Sequence, residues 1–494
     1  MRKMGWILTA LLAFSCRKDA CEGVACERGF NCENGDCVCT SGTAEKIVVA
    51  GGVSDQTALA LAADPFGNVL YFGEGTGKTL FGNDSLVIGN TRSVYRATIN
   101  AFDSVVEMRV LAPSARFRFS GVFSTQNHTL VYGSWNETGL FDATTLSALD
   151  GTDGLMARIN AAGAVDKTLL FGGGGNQTFT GAFENEEGNV YLVGTFADTL
   201  VHEGGMSVGV GGRDAFVLCV NNSWNFRWLR TFGGAGDDEP AAVFQDSDGD
   251  VHVWTTVSGD SIRFISGDSL YVYGGLGQSD AALVSFARNG DFKRATLGGG
   301  SGRDRAVVAA LASDGLYLGG SFQNAAAFGA ATVTSTPGGT AGARAADTTF
   351  FVAKSDFFGR FRWATAAPGE VRALAVAPTG NLYAAGVFYG VTNFGGFSLA
   401  AADPGLGEIF MAVLDAKGAV KDAQRGGGPG ADVAKALVFA HDGRPRLAAD
   451  AYNARVHDET GVAVFNNADF GAQTLVAPFP NRRFAFFARL CRTL

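Results

Sequence analysis

The sequence predicts an all-β protein: a seven-bladed β-propeller with four-stranded blades, preceded by a small disulfide-rich module. The turn-and-strand segment at residues 188–196 is one of seven similar copies, which occur at intervals of about 60 to 66 residues. Glycine clusters and further hydrophobic strands keep the same phase, so each unit contains about four strands. The 494 residues also exceed the usual size of one compact domain, a limit that radially repeated folds avoid.

Each repeated segment combines a turn with an alternating strand. Gly188 and Asn189 favour the turn because both residue types tolerate positive φ. Gly194 lies inside the strand that follows, where a glycine indicates the close approach of another backbone. The seven copies are residues 67–71, 127–133, 188–196, 249–253, 314–319, 380–386 and 442–447.

The two ends of the repeat region complement each other. Residues 46–50 match segments that end other units, such as residues 229–232, although they begin the region. The last unit stops after residues 484–490 and lacks a strand of that kind. We therefore expect the N-terminal strand to complete the seventh blade, which would remove an open sheet edge.

Three segments carry a resemblance to a known family. Thr-Phe-Gly-Gly-Ala-Gly-Asp-Asp at residues 231–238, Asp-Ala-Phe-Val at residues 214–217 and the Asp-x-x-Gly-Asn turn resemble the bacterial seven-bladed β-propeller repeat family, the SBBP-type repeats. The resemblance covers about residues 45–491, and the second and seventh units are eroded. A repeat family of this kind implies a scaffold and no particular activity.

The N-terminus predicts export. Residues 1–3 are a positively charged start, residues 6–14 are apolar, and Cys16 follows. Residues 1–15 resemble a bacterial lipoprotein signal peptide, which implies lipidation of Cys16, although Ala13 stands where leucine is commoner. The alternative is an ordinary secretory signal that is cut nearby. We expect a location in the bacterial cell envelope, as an outer membrane lipoprotein or at the cell surface, and otherwise secretion.

Residues 16–44 are a cysteine-rich module. A cluster this dense in an exported protein is typical of a disulfide framework, and the lack of a nearby histidine disfavours zinc. The spacing resembles an EGF-like module, and that resemblance implies disulfides Cys21–Cys32 and Cys26–Cys37. Val48 stands where that family has its sixth cysteine, so Cys39 lacks a local partner.

The remaining cysteines are placed by the phase of the repeats. Superposing units puts Cys39 and Cys491 next to each other at the closing turn, and we predict a Cys39–Cys491 disulfide. Cys219 then remains alone. It is predicted to be a buried strand thiol, because no neighbouring motif supplies a base.

No residue pattern predicts a reaction, and we assign no catalytic residue. Asp246, Asp248 and Asp250 alternate as calcium ligands do, but they coincide with the repeat's own turn and lack the distal glutamate of a calcium loop. We expect no cofactor, with calcium as the alternative. No Ser-His-Asp arrangement stands out, and the histidines are spread without metal spacing: His128, His202, His252, His441 and His457.

Charge and hydropathy argue against a nucleic-acid partner and against a membrane-spanning segment. The net charge is -9, and no basic run could follow a phosphate backbone, so nucleic acid is not expected. The apolar runs are shorter than the roughly 18 residues that span a bilayer, so the membrane is expected to be reached through the lipid anchor only.

The leading functional hypothesis is a non-catalytic cell-envelope lipoprotein whose propeller, residues 45–494, binds a protein or a glycan. The reason is that variable loops on a rigid scaffold usually carry the binding specificity. Residues 334–347 and 400–407 are the candidate loops. The alternative is a lyase or hydrolase with its site at the mouth of the propeller channel. That alternative requires convergent acids, histidines or a metal. A monomer is expected.

Overall fold

The computed structural model describes residues 30–33, 36–39, 44–52, 54–266, 269–335, 349–428, 430–452, 455–457, 463–465, 468–470, 473–475 and 483–490. Every regular element in these ranges is a β-strand. No helix that could cross a membrane occurs in them. The predicted roles of Cys16, Cys21, Cys26 and Cys491 concern residues outside these ranges.

Seven four-stranded antiparallel sheets form the blades, which confirms the predicted fold class. Blades 1 to 4 consist of Thr57–Ala63, Val69–Gly75, Ser93–Ile99, Val105–Ala112; Phe117–Ser124, Thr129–Phe141, Thr144–Ile159, Val165–Phe171; Gln177–Glu184, Val190–His202, Gly205–Val220, Phe226–Gly233; and Glu239–Gln245, Val251–Ser258, Ser279–Phe286, Phe292–Gly298. Blades 5 to 7 consist of Arg305–Ala312, Gly315–Phe322, Thr349–Ser355, Phe361–Pro368; Glu370–Val376, Leu382–Phe388, Glu408–Leu414, Val420–Gly426; and Val433–Phe439, Pro445–Tyr452, Arg483–Leu490, Ala44–Gly52.

The middle strands of the blades are covered on both faces. Leu382–Phe388 and Glu408–Leu414 are buried along their whole length, because blades 5 and 7 pack on the two sides of blade 6. Seven apolar clusters lie between successive blades, one at each junction of the ring. This arrangement explains why these strands are nearly continuous apolar runs instead of strict alternations.

The ring closes through the N-terminal strand. Ala44–Gly52 pairs with Arg483–Leu490, with Lys46 opposite Arg489 and Ala50 opposite Ala485. The first strands of successive blades contact each other around the ring, and Val433–Phe439 of blade 7 contacts Thr57–Ala63 of blade 1. The expectation that the N-terminal strand completes the last blade is therefore confirmed.

The two faces of the ring differ. Short turns join the first strand of a blade to its second and the third to its fourth, and these turns, for example residues 185–189 and 221–225, form what we call the turn face. The opposite face, the hairpin face, carries the glycine-rich links between blades and the connections from second to third strands. Additional strands on these connections are Lys78–Phe81, Asp84–Val87, Ser261–Ser266, Ser269–Gly274, Ala325–Phe328, Ala331–Thr334, Val391–Phe394, Phe397–Ala400, Arg455–His457, Ala463–Phe465, Ala468–Phe470 and Gln473–Leu475.

Two of these hairpins extend the sheet of the preceding blade. Lys78–Phe81 pairs with Ala44–Gly52 of blade 7, and Ser261–Ser266 pairs with Phe226–Gly233 of blade 3. Both sheets thereby reach six strands. Ser269–Gly274 becomes the outer edge of the blade 3 sheet.

Every first strand carries a β-bulge, which adds one residue relative to the second strand. In blade 3 the bulge turns the carbonyl of Thr178 toward Gly194, and a Cβ atom at Gly194 would overlap that oxygen and the ring of Phe216. The same carbonyl contact occurs at Gly133, Gly320 and Gly386. The predicted close approach at Gly194 is therefore confirmed.

The cysteine-rich module contributes one described hairpin, formed by Phe30–Glu33 and Asp36–Cys39. The backbone of Cys32 lies opposite that of Cys37. In the propeller, Ala44 lies opposite Leu490, the residue before Cys491. The predicted disulfides and the domain boundaries remain predictions.

Candidate functional site

The bulge residues line a cavity at the centre of the ring. Each bulge inserts a residue that has no partner in the second strand, and this residue is turned toward the channel. Ser120, Thr180, Ala241, Val307 and Arg372 are the inserted residues of blades 2 to 6, and all five line a cavity of about 700 Å³. The same local irregularity, repeated in successive blades, therefore builds the wall of the site.

Charged side chains reach the cavity from three successive blades. Glu239 of blade 4 and Arg305 of blade 5 begin their first strands and form an ion pair of 2.9 Å between Oε2 and Nη2. Glu370 begins the first strand of blade 6 and pairs with Arg372 of the same strand. All four side chains keep between 27% and 56% of their surface exposed.

The side chains of these two ion pairs can bind a ligand in place of each other. An exposed ion pair contributes about 0 to 1 kcal/mol to folding, so the fold does not depend on it. Both carboxylates are already neutralised by guanidinium groups, and no histidine or cysteine occurs among the described residues that line this cavity. The arrangement is suited to holding polar or charged groups.

A second cavity of about 630 Å³ opens on the turn face between blades 3 and 4. We call it the blade 3–4 groove. Its floor is formed by Tyr191 and Trp228, whose ring centroids are 6.1 Å apart. Its walls are the turns that follow: Glu187, Asn189, Asn221, Asn222, Arg288 and Asn289, with Cys219 and Arg227 from the strands.

Cys219, a small residue, is among the residues that line the groove. Cys219 lies opposite Tyr191 in the sheet, and in blade 5 the corresponding pair is Lys354 opposite Tyr317. The Nζ atom of Lys354 lies 4.7 Å from the centroid of the Tyr317 ring and 2.6 Å from Oδ1 of Asp314, which fills the space. The thiol of Cys219 is buried, as predicted, and burial raises its pKa to about 12.

The same layer of blade 4 contains a Ser-His-Asp contact that the sequence does not reveal. Nδ1 of His252 lies 3.0 Å from Oγ of Ser285, and its Nε2 lies 2.9 Å from Oδ2 of Asp246. His252 and Ser285 are completely buried, and the ring of Phe357 stacks on the imidazole. Burial lowers the pKa of His252. Because no substrate can reach Ser285, we interpret the contact as part of the packing between blades.

The calcium candidates are engaged in the turn. Oδ1 of Asp246 accepts hydrogen bonds from the backbone N–H groups of Asp248 and Asp250, and Asp250 pairs with Lys293. Asn185 accepts the equivalent two bonds in blade 3, so the turn needs no cation. Within the described ranges no group of three His, Cys, Asp or Glu residues is placed to hold a metal.

Buried carboxylate pairs recur on the hairpin side of three blades. Asp238 accepts bonds from the N–H groups of Gly234 and Ser258, and burial, with Asp214 nearby, raises its pKa to about 7. Asp304 has a pKa raised to about 6 by burial, with Asp280 contributing. Burial raises the pKa of Asp432 to about 7, and Glu408 adds to this shift. These groups hold the glycine turns and face no described cavity.

One of the two predicted binding loops, residues 400–407, lies wholly within the described ranges. Residues 400–407 are described, and the N–H of Ala402 is bonded to Glu408, but none of them lines either cavity. Most of residues 334–347 lie outside the described ranges. The cavity residues were missed because a bulge depends on strand pairing. Charged residues within three positions of some glycine clusters, such as Glu239, Arg305 and Glu370, were the available signal.

No protein-family model and no curated protein matches the sequence. Similar solved structures include a protein of unknown function from Dyadobacter fermentans, 9% identical, with a TM-score of 0.38 over 90% of this chain and 98% of that chain. A subtype N10 neuraminidase-like protein of A/little yellow-shouldered bat/Guatemala/060/2010 is 7% identical, with a TM-score of 0.35 over 91% and 99%. A duf4221 family member from Bacteroides vulgatus is 9% identical, with a TM-score of 0.28 over 69% and 91%. Similarity at this level carries no conclusion about function.

Proposed function

We propose that the chain is an SBBP-type, lipid-anchored propeller of the bacterial cell envelope that binds a protein or a glycan without catalysis. The observation that carries the proposal is the central cavity of about 700 Å³, whose charged lining comes from three blades. Half-exposed ion pairs that the fold does not need are suited to ligand recognition. The seven packed junctions between blades hold in place the strands from which these side chains project.

The anchor is proposed from Cys16 and the apolar stretch before it. Ala44 begins the fourth strand of blade 7, which starts at the turn face. The cysteine-rich module, which contains the hairpin of Phe30–Glu33 and Asp36–Cys39, would therefore lie between the anchor and the turn face of the propeller.

The experiment uses the full chain expressed in a bacterial envelope. Radiolabelled fatty acid should enter the wild-type chain and should be absent from Cys16→Ser. The purified wild-type chain is then screened against glycans and envelope proteins. Arg305→Gln combined with Arg372→Gln should weaken the binding of a cavity ligand by at least about tenfold, since each lost charged contact costs roughly 1.5 to 3 kcal/mol.

Arg303→Gln is the matched control, because Arg303 lies two positions from Arg305 and bonds to Gln278 outside the cavity. It should leave binding unchanged. An equal affinity of the wild type and the double variant for the ligand would show that the central cavity is not the binding site. Absence of label at Cys16 would remove the anchor while leaving the cavity result intact.

The second candidate function is a hydrolase or lyase. It is favoured by one observation, that Glu239 and Glu370 line the same cavity. Paired carboxylates are the usual machinery of glycoside cleavage. Release of reducing ends from a polysaccharide by the wild type, lost in both Glu239→Gln and Glu370→Gln, would establish this candidate and overturn the non-catalytic proposal.

A further inference from the structure

We propose that the blade 3–4 groove binds a saccharide that carries a carboxylate. This inference depends neither on the lipid anchor nor on the central cavity. It rests on a comparison within the molecule, because the motif Phe-Arg-Trp occurs at residues 226–228 and again at residues 361–363. The space beside Tyr191 in blade 3 is an open groove, whereas Lys354 occupies the corresponding space beside Tyr317 in blade 5.

The tryptophans of the two motifs have the same role. The indole N–H of Trp228 donates to the carbonyl of Arg288 at 3.0 Å, and that of Trp363 donates to the carbonyl of Ala416 at 3.0 Å. Each ring packs under a glycine of the next blade, Gly290 or Gly418. The tryptophan is therefore a structural contact between blades, and the difference lies in its neighbours.

The arginines of the two motifs differ in their partners. Nη2 of Arg362 lies 2.6 Å from Oδ2 of Asp356, the residue that begins the adjacent turn. In blade 3 that turn begins with Asn221, which has no charge. Arg227 is exposed, lines the groove and has no ion pair or side-chain hydrogen bond within the described part of the chain.

The groove is also locally positive. The residues that line it include Arg227, Arg288 and Glu187, and all the others are uncharged at neutral pH, so the lining carries a net charge of +1 (two positive minus one negative). The whole chain has a net charge of -9. Arg288 and Glu187 pair with each other, which leaves the guanidinium of Arg227 as the free charge.

The lining matches the chemistry of an acidic sugar. A guanidinium group binds a carboxylate through two parallel hydrogen bonds. The amides of Asn189 and Asn289 each donate one hydrogen bond inside their turns, to Glu187 and Asp291. The second N–H of each amide, and the amide N–H groups of Asn222, are left to donate to hydroxyl groups. The edges of Tyr191 and Trp228 give an apolar floor, and a volume of about 630 Å³ lies within the range of small-molecule sites. A nucleotide base fits less well, since Trp228 is only 7% exposed and offers no open face for stacking.

The test measures binding of the full chain to tetragalacturonate, a glucuronate tetrasaccharide and a sialyl oligosaccharide by titration calorimetry, with the methyl esters as neutral counterparts. We expect binding of at least one acid and at least about tenfold weaker binding of its ester, because a charge-assisted contact is lost. Absence of binding of all three acids at millimolar concentration would overturn the proposal.

Two substitutions use blade 5 as a template. Asn221→Asp should pair Arg227 as Asp356 pairs Arg362, and it keeps the oxygen that caps the turn. Cys219→Lys should fill the groove as Lys354 does. Each should weaken binding of the acid by at least about tenfold, as should Arg227→Gln.

Arg362→Gln is the matched control, because it changes the same position of the same motif in the filled blade, and it should leave binding unchanged. Thermal unfolding of every variant verifies the fold, and Asn221→Asp keeps the test decisive if Cys219→Lys fails to fold. Equal binding of the acid by the wild type, Arg227→Gln and Asn221→Asp would overturn the assignment of the groove.

Discussion

Single residues in this ring are constrained mainly by the neighbouring blade or strand. Gly194 is required because the bulge of blade 3 directs the carbonyl of Thr178 at its Cα atom. The acids Asp238, Asp304 and Asp432 stay buried because backbone N–H groups of the glycine turns bind them. The effect of a single substitution on stability is therefore set by packing at the glycine and by protonation at the buried acids.

Gly194→Ala is expected to destabilise the protein by about 1 to 3 kcal/mol, as overpacking does in a closely packed core. The physical reason is overlap of the new methyl group with the carbonyl oxygen of Thr178. Urea denaturation followed by fluorescence measures the effect. Gly174→Ala is the control, since no atom lies within 4 Å of its added Cβ, and it should change stability by less than about 0.5 kcal/mol.

The buried acids predict that stability rises as the pH falls from about 8 to about 5. Asp238 and Asp432 have a pKa near 7 in the folded chain, against 3.8 ordinarily, and Asp304 has a pKa near 6. In this window the folded protein holds protons that the unfolded chain releases, so falling pH favours the folded state. His252 acts in the opposite direction below its ordinary pKa, because burial lowers its pKa.

Thermal unfolding across this pH range measures the balance, and we expect a higher melting temperature near pH 5 than near pH 8. Asp238→Asn with Asp304→Asn should reduce the slope of the profile, and Asp432 should maintain the remainder. Asp237→Asn should not, because the backbone N–H of Arg213 lowers the pKa of that exposed neighbour. A melting temperature that falls steadily on acidification would contradict the expectation.

Elements of this fold differ in how well their edges are protected. Ser269–Gly274 is the outer strand of the six-stranded blade 3 sheet, and no described strand pairs with its outer side. Leu270 and Val272 are 58% and 57% exposed. A free edge with apolar side chains is a template for pairing with another chain.

Val272→Lys is expected to reduce aggregation at high concentration or on heating, because a charge on an edge strand disfavours pairing. It should change the free energy of unfolding by less than about 0.5 kcal/mol. Light scattering over a concentration series measures the first effect. Phe358→Lys is the control: Phe358 is 64% exposed in a turn, so its loss removes apolar surface without altering a strand edge, and equal protection by both variants would argue against the edge.

The whole molecule depends on joining blade 7 to blade 1. Asp103 in a turn of blade 1 is buried between two arginines of blade 7, with Oδ1 3.0 Å from Nε of Arg446 and Oδ2 2.7 Å from Nη1 of Arg489. Lys46 of the N-terminal strand donates to the carbonyl of Phe102 in the same turn. Asp103 has φ 54°, where corresponding turns have glycine, such as Gly290.

Asp103→Asn is expected to lower stability by about 1 to 3 kcal/mol, because the charge that faces Arg446 and Arg489 is lost, while Arg446 keeps its contact with Asp442. Asparagine tolerates positive φ, so the turn itself should persist. Chemical denaturation measures the loss. Asp291→Asn is the control, since Asp291 is exposed and lies 3.8 Å from Arg230, and a similar loss in both variants would contradict a special role for the closing junction.

The predicted Cys39–Cys491 disulfide would strengthen the same junction. In the chain-entropy model a bond that closes so long a loop contributes roughly 4 to 5 kcal/mol. Mass spectrometry of non-reduced peptides should find the two cysteines linked. Recovery of both as free thiols would contradict the prediction.

The sequence by itself determined the number of blades, their four strands and the closing N-terminal strand. These features follow from turn chemistry and hydrophobic periodicity, which are local and repeat seven times. It also identified Gly194 as a close approach. The sequence did not reveal the central cavity, the contact of His252 with Ser285, or the difference between Arg227 and Arg362. Bulges, strand register and the turns of the next blade decide these, and such contacts join residues that are far apart in the chain.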